Sequence, residues 1–233
     1  MNRTMTMRKK RMTKAKMKAE AGMKTKSNRA VLVLLLLLFG TAALRLNADV
    51  FTFRADKMSG GKATGREVMI LTGNAEVKSD SIILRAERIE MRGADNDIVE
   101  CYGNVTGYEE EKDIYFRADS LIYDRQTKIA KLTGNSTLED KKNEIVARAR
   151  YIEYDDEKET AIFQISVRLL RKKMVCRSEY AIYRRQDELL DLSGFPIVYR
   201  ESDEFRADKI RVDLETDDVT MTGAVSGTLK SSN

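Results

Sequence analysis

The chain has 233 residues, with 42 Lys and Arg against 37 Asp and Glu, no histidine, no tryptophan, one proline and two cysteines. Its formal charge of +5 is concentrated in residues 1–48, which hold twelve bases and one acid, so residues 49–233 carry −6 and have no net field to attract nucleic acid. Without histidine, a nucleophile setting, a cysteine pair at metal spacing or a phosphate-cradling glycine loop, the sequence reads as no enzyme and implies no cofactor and no metal.

Residues 1–29 form a basic arm with Glu20 as its single acid. The apolar run Val31–Phe39, VLVLLLLLF, follows and extends at most to Leu44. That length suits a secretory leader of about 7 to 15 apolar residues better than a spanning helix of about 20. Ala48 supplies a small residue for cleavage before Asp49, and Met23 stands where an ordinary leader begins. The leader reading places the mature protein in the periplasm. The alternative is an uncleaved single-span anchor facing the periplasm, with the basic arm cytoplasmic in both cases.

Beyond the leader, residues 49–229 read as copies of one unit, best seen in FRADSLIYDRQTKIAKLTGNSTL at Phe116–Leu138. Its small residue recurs as Ala55, Ala86, Ala118, Ala149, Ser178 and Ala207, at steps of 31, 32, 31, 29 and 29 residues. Its second half recurs around Gly73, Gly103, Gly134, Gly194 and Gly223. A fixed period of this size marks units that bury their apolar faces only by stacking, here about six of roughly 30 residues. Residues 230–233 form a short polar tail.

Within each copy the apolar residues alternate with period 2 and then slip by one, the pattern of a bent strand. This places Phe53, Met58, Leu84, Ile89, Met91, Phe116, Leu121, Tyr123, Ile152, Tyr154, Phe205, Ile210 and Val212 on an inward face. Cys101 and Cys176 occupy core slots of different copies and are expected to be buried free thiols. Slips at corresponding places let one strand serve two facing sheets, which predicts an all-β, jelly-roll-like sandwich.

The opposite face carries Arg54, Arg85, Arg117, Arg148, Arg177 and Arg206, each followed two residues on by an acid except at Arg150. Such a stripe could bind the anion of a phosphorylated ligand. The reading adopted is structural, with Arg and carboxylate forming cross-strand pairs that keep the sheet soluble. Turns are expected at 93–97, 124–128, 155–159, 184–188 and 215–218, and the repeated glycines at corners of positive φ. Repeat 4 reads AIFQISV, with Gln164 in the glycine place, and Pro196 marks an edge, bulge or break.

Six in-phase copies carrying AD near the start and LTGN near the end, behind a leader, resemble the OstA/LptA family, related to LptC and the N-terminal domain of LptD. The resemblance covers about residues 49–229. It implies a twisted β-jelly-roll, open on one side as a V, whose apolar interior shields the acyl chains of lipopolysaccharide or a related glycolipid. It also implies LptC-like and LptD-like partners and head-to-tail self-association in a bridge between inner and outer membranes. The inward residues named above become the lipid-contacting set, although an ordinary core predicts the same list. The edges, Val50, Phe51, Thr52 and Phe53 at one end and Val219, Met221, Val225 and Leu229 at the other, hold few lysines and no proline, so neither is defended against strand addition. A membrane-anchored LptC-like component and a non-lipid interaction sandwich are the alternatives.

Overall fold

The computed structural model describes residues 51–63, 66–79, 81–93 and 95–230. The chain separates into two units, Met1–Ala48 and Asp49–Asn233, and every described residue belongs to the second. The leader, its expected cleavage site and Val50 lie outside the described residues.

All regular elements described are strands. The first pass is broken into β1 (Phe51–Arg54) and β2 (Lys57–Ala63). Eight long strands follow: β3 (Arg66–Ser79), β4 (Ile82–Arg92), β5 (Ile98–Glu109), β6 (Ile114–Asp124), β7 (Ile129–Asp140), β8 (Ile145–Asp155), β9 (Thr160–Arg171) and β10 (Met174–Arg184). The last three passes are broken again, into β11 (Leu189–Ser193) with β12 (Ile197–Arg200), β13 (Asp203–Arg206) with β14 (Lys209–Asp213), and β15 (Val219–Thr222) with β16 (Ser226–Thr228). Each pass pairs antiparallel with the next, giving one unclosed 16-stranded sheet edged by β1 and β2 at one end and β15 and β16 at the other. Pro196 lies in the break between β11 and β12, where no ladder donor is lost.

The expected phase slip is a bulge in the middle of every long strand. Pairing breaks between Thr72 and Ala75, Arg85 and Arg88, Tyr102 and Val105, Arg117 and Ser120, Thr133 and Ser136, and Arg148 and Tyr151. Aligned bulges fold the sheet into two facing halves. The Phe116 ring, in the first half of β6, meets the Tyr154 ring, in the second half of β8, at 5.4 Å between centroids. The core is therefore the inner face of one sheet packed against itself, with Leu71, Ile89, Leu132, Ile145, Ile152, Phe163 and Leu169 wholly buried. Each such side chain contributes roughly 1.5–3 kcal/mol by leaving water. Cys101 and Cys176 are buried and free, and burial pushes both thiols up to about 12.

At the corner Gly73, Gly103, Gly134, Gly194 and Gly223 all have positive φ, from 73° to 98°. A second constraint applies at each: a Cβ on these glycines would strike Asp56, Glu87, Asp119, Glu179 and Asp208 respectively. These acids are the partners that the sequence assigns to outward arginines, and that reading is corrected here. They cap the corners instead. Asp56 accepts from Asn74 Nδ2 at 2.9 Å, Glu87 from Asn104 Nδ2 at 2.5 Å, and Asp119 from the Asn135 backbone N–H at 3.1 Å. Among the described residues, arginine–carboxylate pairs on that face are those of Arg54 and Arg85 with Glu76 and of Arg206 with Glu204.

Repeat 4 breaks both halves of this rule together. Arg150 stands where the acid belongs, and the register places Ile165, not Gln164, at the glycine position: Gln164 pairs with Tyr151 as Thr133 does, and Ile165 follows at φ 68°. Counting from the aligned apolar residue was one place short, because Phe163 rather than Ile162 continues the inner row. With no acid of its own repeat to cap it, this corner takes the carboxylate of the next, the Ser166 N–H donating to Glu179 Oε2 at 3.2 Å.

Two equivalent corners should therefore respond with opposite sign. Gly134→Ala adds a left-handed Cβ penalty and displaces Asp119, costing about 2 kcal/mol or more. Ile165→Gly, at a side chain 54% exposed, relieves about 1–2 kcal/mol of strain against about 0.5–1 kcal/mol of chain entropy. Urea denaturation should show the first variant clearly destabilised and the second unchanged or slightly more stable; equal losses would remove the corner rule.

Candidate functional site

The turns at the strand ends form two lips that border the fold opposite the bulged corner. The first lip follows β3, β5, β7 and β9, and the second follows β4, β6, β8, β10 and β14. Turns stack along each lip through backbone bonds, such as Asp156 N to Lys128 O at 3.1 Å and Leu214 N to Glu188 O at 2.7 Å.

Polar clasps join one lip to the other. Arg125 Nε donates to Ser79 Oγ at 3.1 Å. Lys112 Nζ reaches Asp156 Oδ1 at 2.5 Å and its carbonyl oxygen at 2.7 Å. Asp140 accepts from Tyr183 Oη at 2.9 Å and from Arg185 Nε at 2.8 Å, while Asn143 Nδ2 donates to the same tyrosine at 2.7 Å. Arg171 binds Asp217 and the Leu214 carbonyl oxygen. The main links span 46, 44, 45 and 46 residues in sequence. This common stride is one and a half repeats, so the twisting sheet brings each first-lip turn over a second-lip turn three passes on. The V-shaped opening implied by family resemblance is thus bridged along its length; the sheet is open at its edges.

The clasp around β7 and β10 is the most buried. Asp140 and Tyr183 are nearly inaccessible. Arg185 also donates to Glu159 Oε2 at 2.6 Å and to the Lys112 carbonyl oxygen at 3.0 Å. Burial opposes the charge on Arg185, but the Glu159 and Asp140 bonds hold it above its ordinary range. Burial likewise opposes ionised Glu159, yet hydrogen bonds from Arg185 and Gln186 hold it below its ordinary value. Beside this clasp Glu109 is pushed up, first by burial, with Asp156 adding repulsion; its Oε2 has no partner.

Between the halves the described inner side chains are closely packed. A void of about 10 Å³, one water in size, remains among Ile82, Leu84, Phe116, Leu121, Tyr123, Ala130 and Tyr154, with Lys128 and Asp156 at the lip. Of the inward residues named from sequence, Leu84, Ile89, Met91, Phe116, Leu121, Tyr123, Ile152, Tyr154, Ile210 and Val212 are buried in this shared interior. Phe205 is half-buried. Phe53 and Met58 are on the same inner face, in register with Val77 and Leu71, but are 44% and 59% exposed because no further pass covers them. Phe51, Met69, Val219 and Met221 pack only partly at the two ends.

The edge strands differ in length from the sequence reading. Phe51, Thr52 and Phe53 lie in β1, but the same edge continues through β2 beyond the Ala55–Asp56 corner. The last pass is two pieces, with Val219 and Met221 in β15, Val225 in the break and Leu229 just past β16, because Gly223 turns the corner at φ 73°. The clasp residues were not foreseen: partners 43–46 residues apart leave no local pattern. Among the described residues no group of side chains is placed to hold a metal ion.

Two substitutions measure this site. Asp140→Ala removes the acceptor of Tyr183 Oη and one of the two carboxylates that hold Arg185, with Glu159 remaining, and should cost about 1–3 kcal/mol in urea denaturation. Glu109 binds its proton more tightly folded than at its ordinary 4.5, so wild-type stability falls as pH rises from 4.5 through the folded value. Glu109→Gln removes that loss. It should stabilise by about 1 kcal/mol at pH 8 and by little near pH 4, and a gain independent of pH would contradict the assignment.

The family model described as OstA-like protein matches residues 47–190. Among solved structures, LptH of Pseudomonas aeruginosa, described as the LptA homologous periplasmic component of the lipopolysaccharide transport device, shares 12% identity over 78% of this chain and 96% of its own. The TM-score is 0.24, too low for that likeness to carry weight. No curated protein matches. Since the family model spans more than half of the 233 residues, the chain belongs to the OstA-like protein family.

Proposed function

We propose that this protein is a periplasmic lipid-binding bridge module that carries lipopolysaccharide or a similar outer-membrane glycolipid from inner to outer membrane. The observation that carries this reading is an apolar interior continuous through the whole stack of strands and bounded on one side by lips joined only by side-chain clasps. Acyl chains entering between the halves replace apolar contacts with apolar contacts. The clasp residues regain water when the lips part. Family membership supports the same reading, and it points to LptC-like and LptD-like partners.

Transfer along a bridge needs modules joined end to end. The two unpaired edges, β1 with β2 and β15 with β16, provide donors and acceptors for strand addition. Phe53, Met58, Val225 and Leu229 sit there with their apolar surface uncovered, which a neighbouring module would bury. Pairing of the first edge of one copy with the last edge of another, or with a membrane-anchored partner, extends the interior without a gap.

Photocrosslinkers at Phe116, Ile152 and Ile210 should label glycolipid in cells. Lys112→Cys with Asp156→Cys, oxidised to a disulfide across the lips, should cut that labelling at least tenfold, with recovery on reduction. Failure of all three positions to label removes the lipid interior, and labelling unaffected by the lock removes entry between the lips. Light scattering across a concentration series should show mass growing by whole copies; a constant monomer that also ignores jelly-roll partners defeats the end-to-end arrangement.

A further inference from the structure

The two outer faces of the folded sheet are charged in different ways. On the half bearing the second lip, bases and acids neutralise one another: Arg88 and Arg92 hold Glu90, Lys131 approaches Glu153, and Arg184 and Arg211 hold Asp191. The half bearing the first lip is otherwise. There Arg148 stands directly opposite Arg168, and Arg168 directly opposite Arg177. In the same cross-strand row Arg117 faces Thr137, which faces Arg148. Arg150 adds a guanidinium two residues along β8 from Arg148.

These five side chains are exposed, and none has a carboxylate partner among the described residues. Arg177 lies over the Tyr199 ring at 5.6 Å. Nearby acids are occupied: Asp119 and Glu179 by corner N–H groups, Glu139 by Lys141, Glu76 by Arg54 and Arg85, and Glu204 by Arg206. Like charges directly opposite are unfavourable in a sheet. Here three occur in succession on a body whose residues 49–233 sum to −6. The cleft where Arg148 and Arg150 meet Ser166, Thr137 and Asn135 offers hydroxyl and amide donors beside the guanidinium groups.

The neighbouring outward row, nearer the lip, is apolar except for Glu139, which stands in register between Tyr115 and Val146 and is paired with Lys141. Tyr115 and Leu170 are exposed, and Val146, Val175 and Tyr199 are half-buried, in register across β6 to β12. A soluble polyanion would use only the arginines. An arginine row about 19 Å long, four strand steps, with aliphatic and aromatic side chains alongside it fits the phosphate level of a bilayer, where tyrosine rings and arginine both settle.

We propose that the outer face of the first-lip half is a docking surface for anionic phospholipid headgroups, with Arg117, Arg148, Arg150, Arg168 and Arg177 taking the phosphates. The surface is separate from the apolar interior and does not depend on what the interior carries. It orients the module with that half of the sheet against a membrane and its bulged corner and lips to the sides.

A nitroxide attached at Leu170→Cys reads this contact directly, because both native thiols are buried. The control is Ile122→Cys, exposed on the opposite outer face. With full-length protein and vesicles containing about one-third phosphatidylglycerol, accessibility of the Leu170 label to a polar relaxant should fall at least threefold, while the Ile122 label stays unchanged. Phosphatidylcholine vesicles should give no protection, and high salt should reverse it. Arg148→Gln with Arg168→Gln should abolish protection with no loss of thermal stability, since it removes repulsion. No protection at Leu170, equal protection at Ile122, or protection unaffected by the double glutamine variant would each overturn the proposal.

Discussion

Everything in this fold depends on the mid-strand corner where a carboxylate rests on a glycine. A long flat strand buries only one face against whatever it meets. Bulging every strand at the same height turns one sheet into two facing halves, and those halves become each other's core. The corner must be sharp and must recur in register through adjacent passes, or the halves would shear. Gly134 and its equivalents supply the left-handed backbone, and the acid on the preceding pass occupies the space a Cβ would need. Repeat 4 shows that the two residues form one unit. Where the acid becomes Arg150, the glycine becomes Ile165, and both changes fall on the same pair of strands. A glycine is dispensable where nothing presses on it, although Ile165 then bears the strain of a β-branched side chain at positive φ.

Much of this architecture was legible in the sequence because it is local. Period-2 alternation with a slip locates strands and bulges, repeated glycines locate corners, and acidic clusters locate turns. Asp124 and Asp155 show why the last signal works: each carboxylate accepts N–H groups of its own turn. The outward acids were misassigned because charge alternation along a strand looks the same whether a carboxylate meets an arginine beside it or a backbone corner across from it. The lip clasps left no trace, since the pairing of Asp140 with Arg185 follows from the accumulated twist of three passes and not from any neighbouring residue. The splitting of the end passes was equally hidden. An uncovered edge does not by itself explain it, since β11 with β12 and β13 with β14 are paired on both sides and are broken all the same.

The same asymmetry between middle and ends organises the exposed apolar surface. In the middle, each inner residue is covered from the facing half and from strands on both sides, and burial is complete. At the ends the inner row continues through Phe53, Met58 and Met221, but coverage stops. A repeat array without a polar capping unit leaves its last interface unfinished. The chain has none among its described residues, so the inner row at its terminal passes stays partly uncovered.

A filled interior and a lipid-carrying interior are compatible only if opening is inexpensive in free energy, and the clasps suggest how. Had the lips met through apolar side chains, parting them would expose that surface at about 25 cal/mol per Å² with nothing in return. Polar lips recover hydrogen bonds to water as they separate. The net stabilisation from a buried ion pair such as Asp140 with Arg185 is small against its desolvation, even though removing one partner is severe. The clasps therefore set which turns meet and at what offset more than how tightly they hold. Under the proposed function, an acyl chain of matching polarity would exchange side-chain contacts for its own, and the remaining cost would be the bending of two half-sheets about the glycine corner. Under the proposed function, the acid–glycine pairs that build the sandwich would also be the hinge about which it opens, and their recurrence on nearly every repeat would allow the lips to part locally.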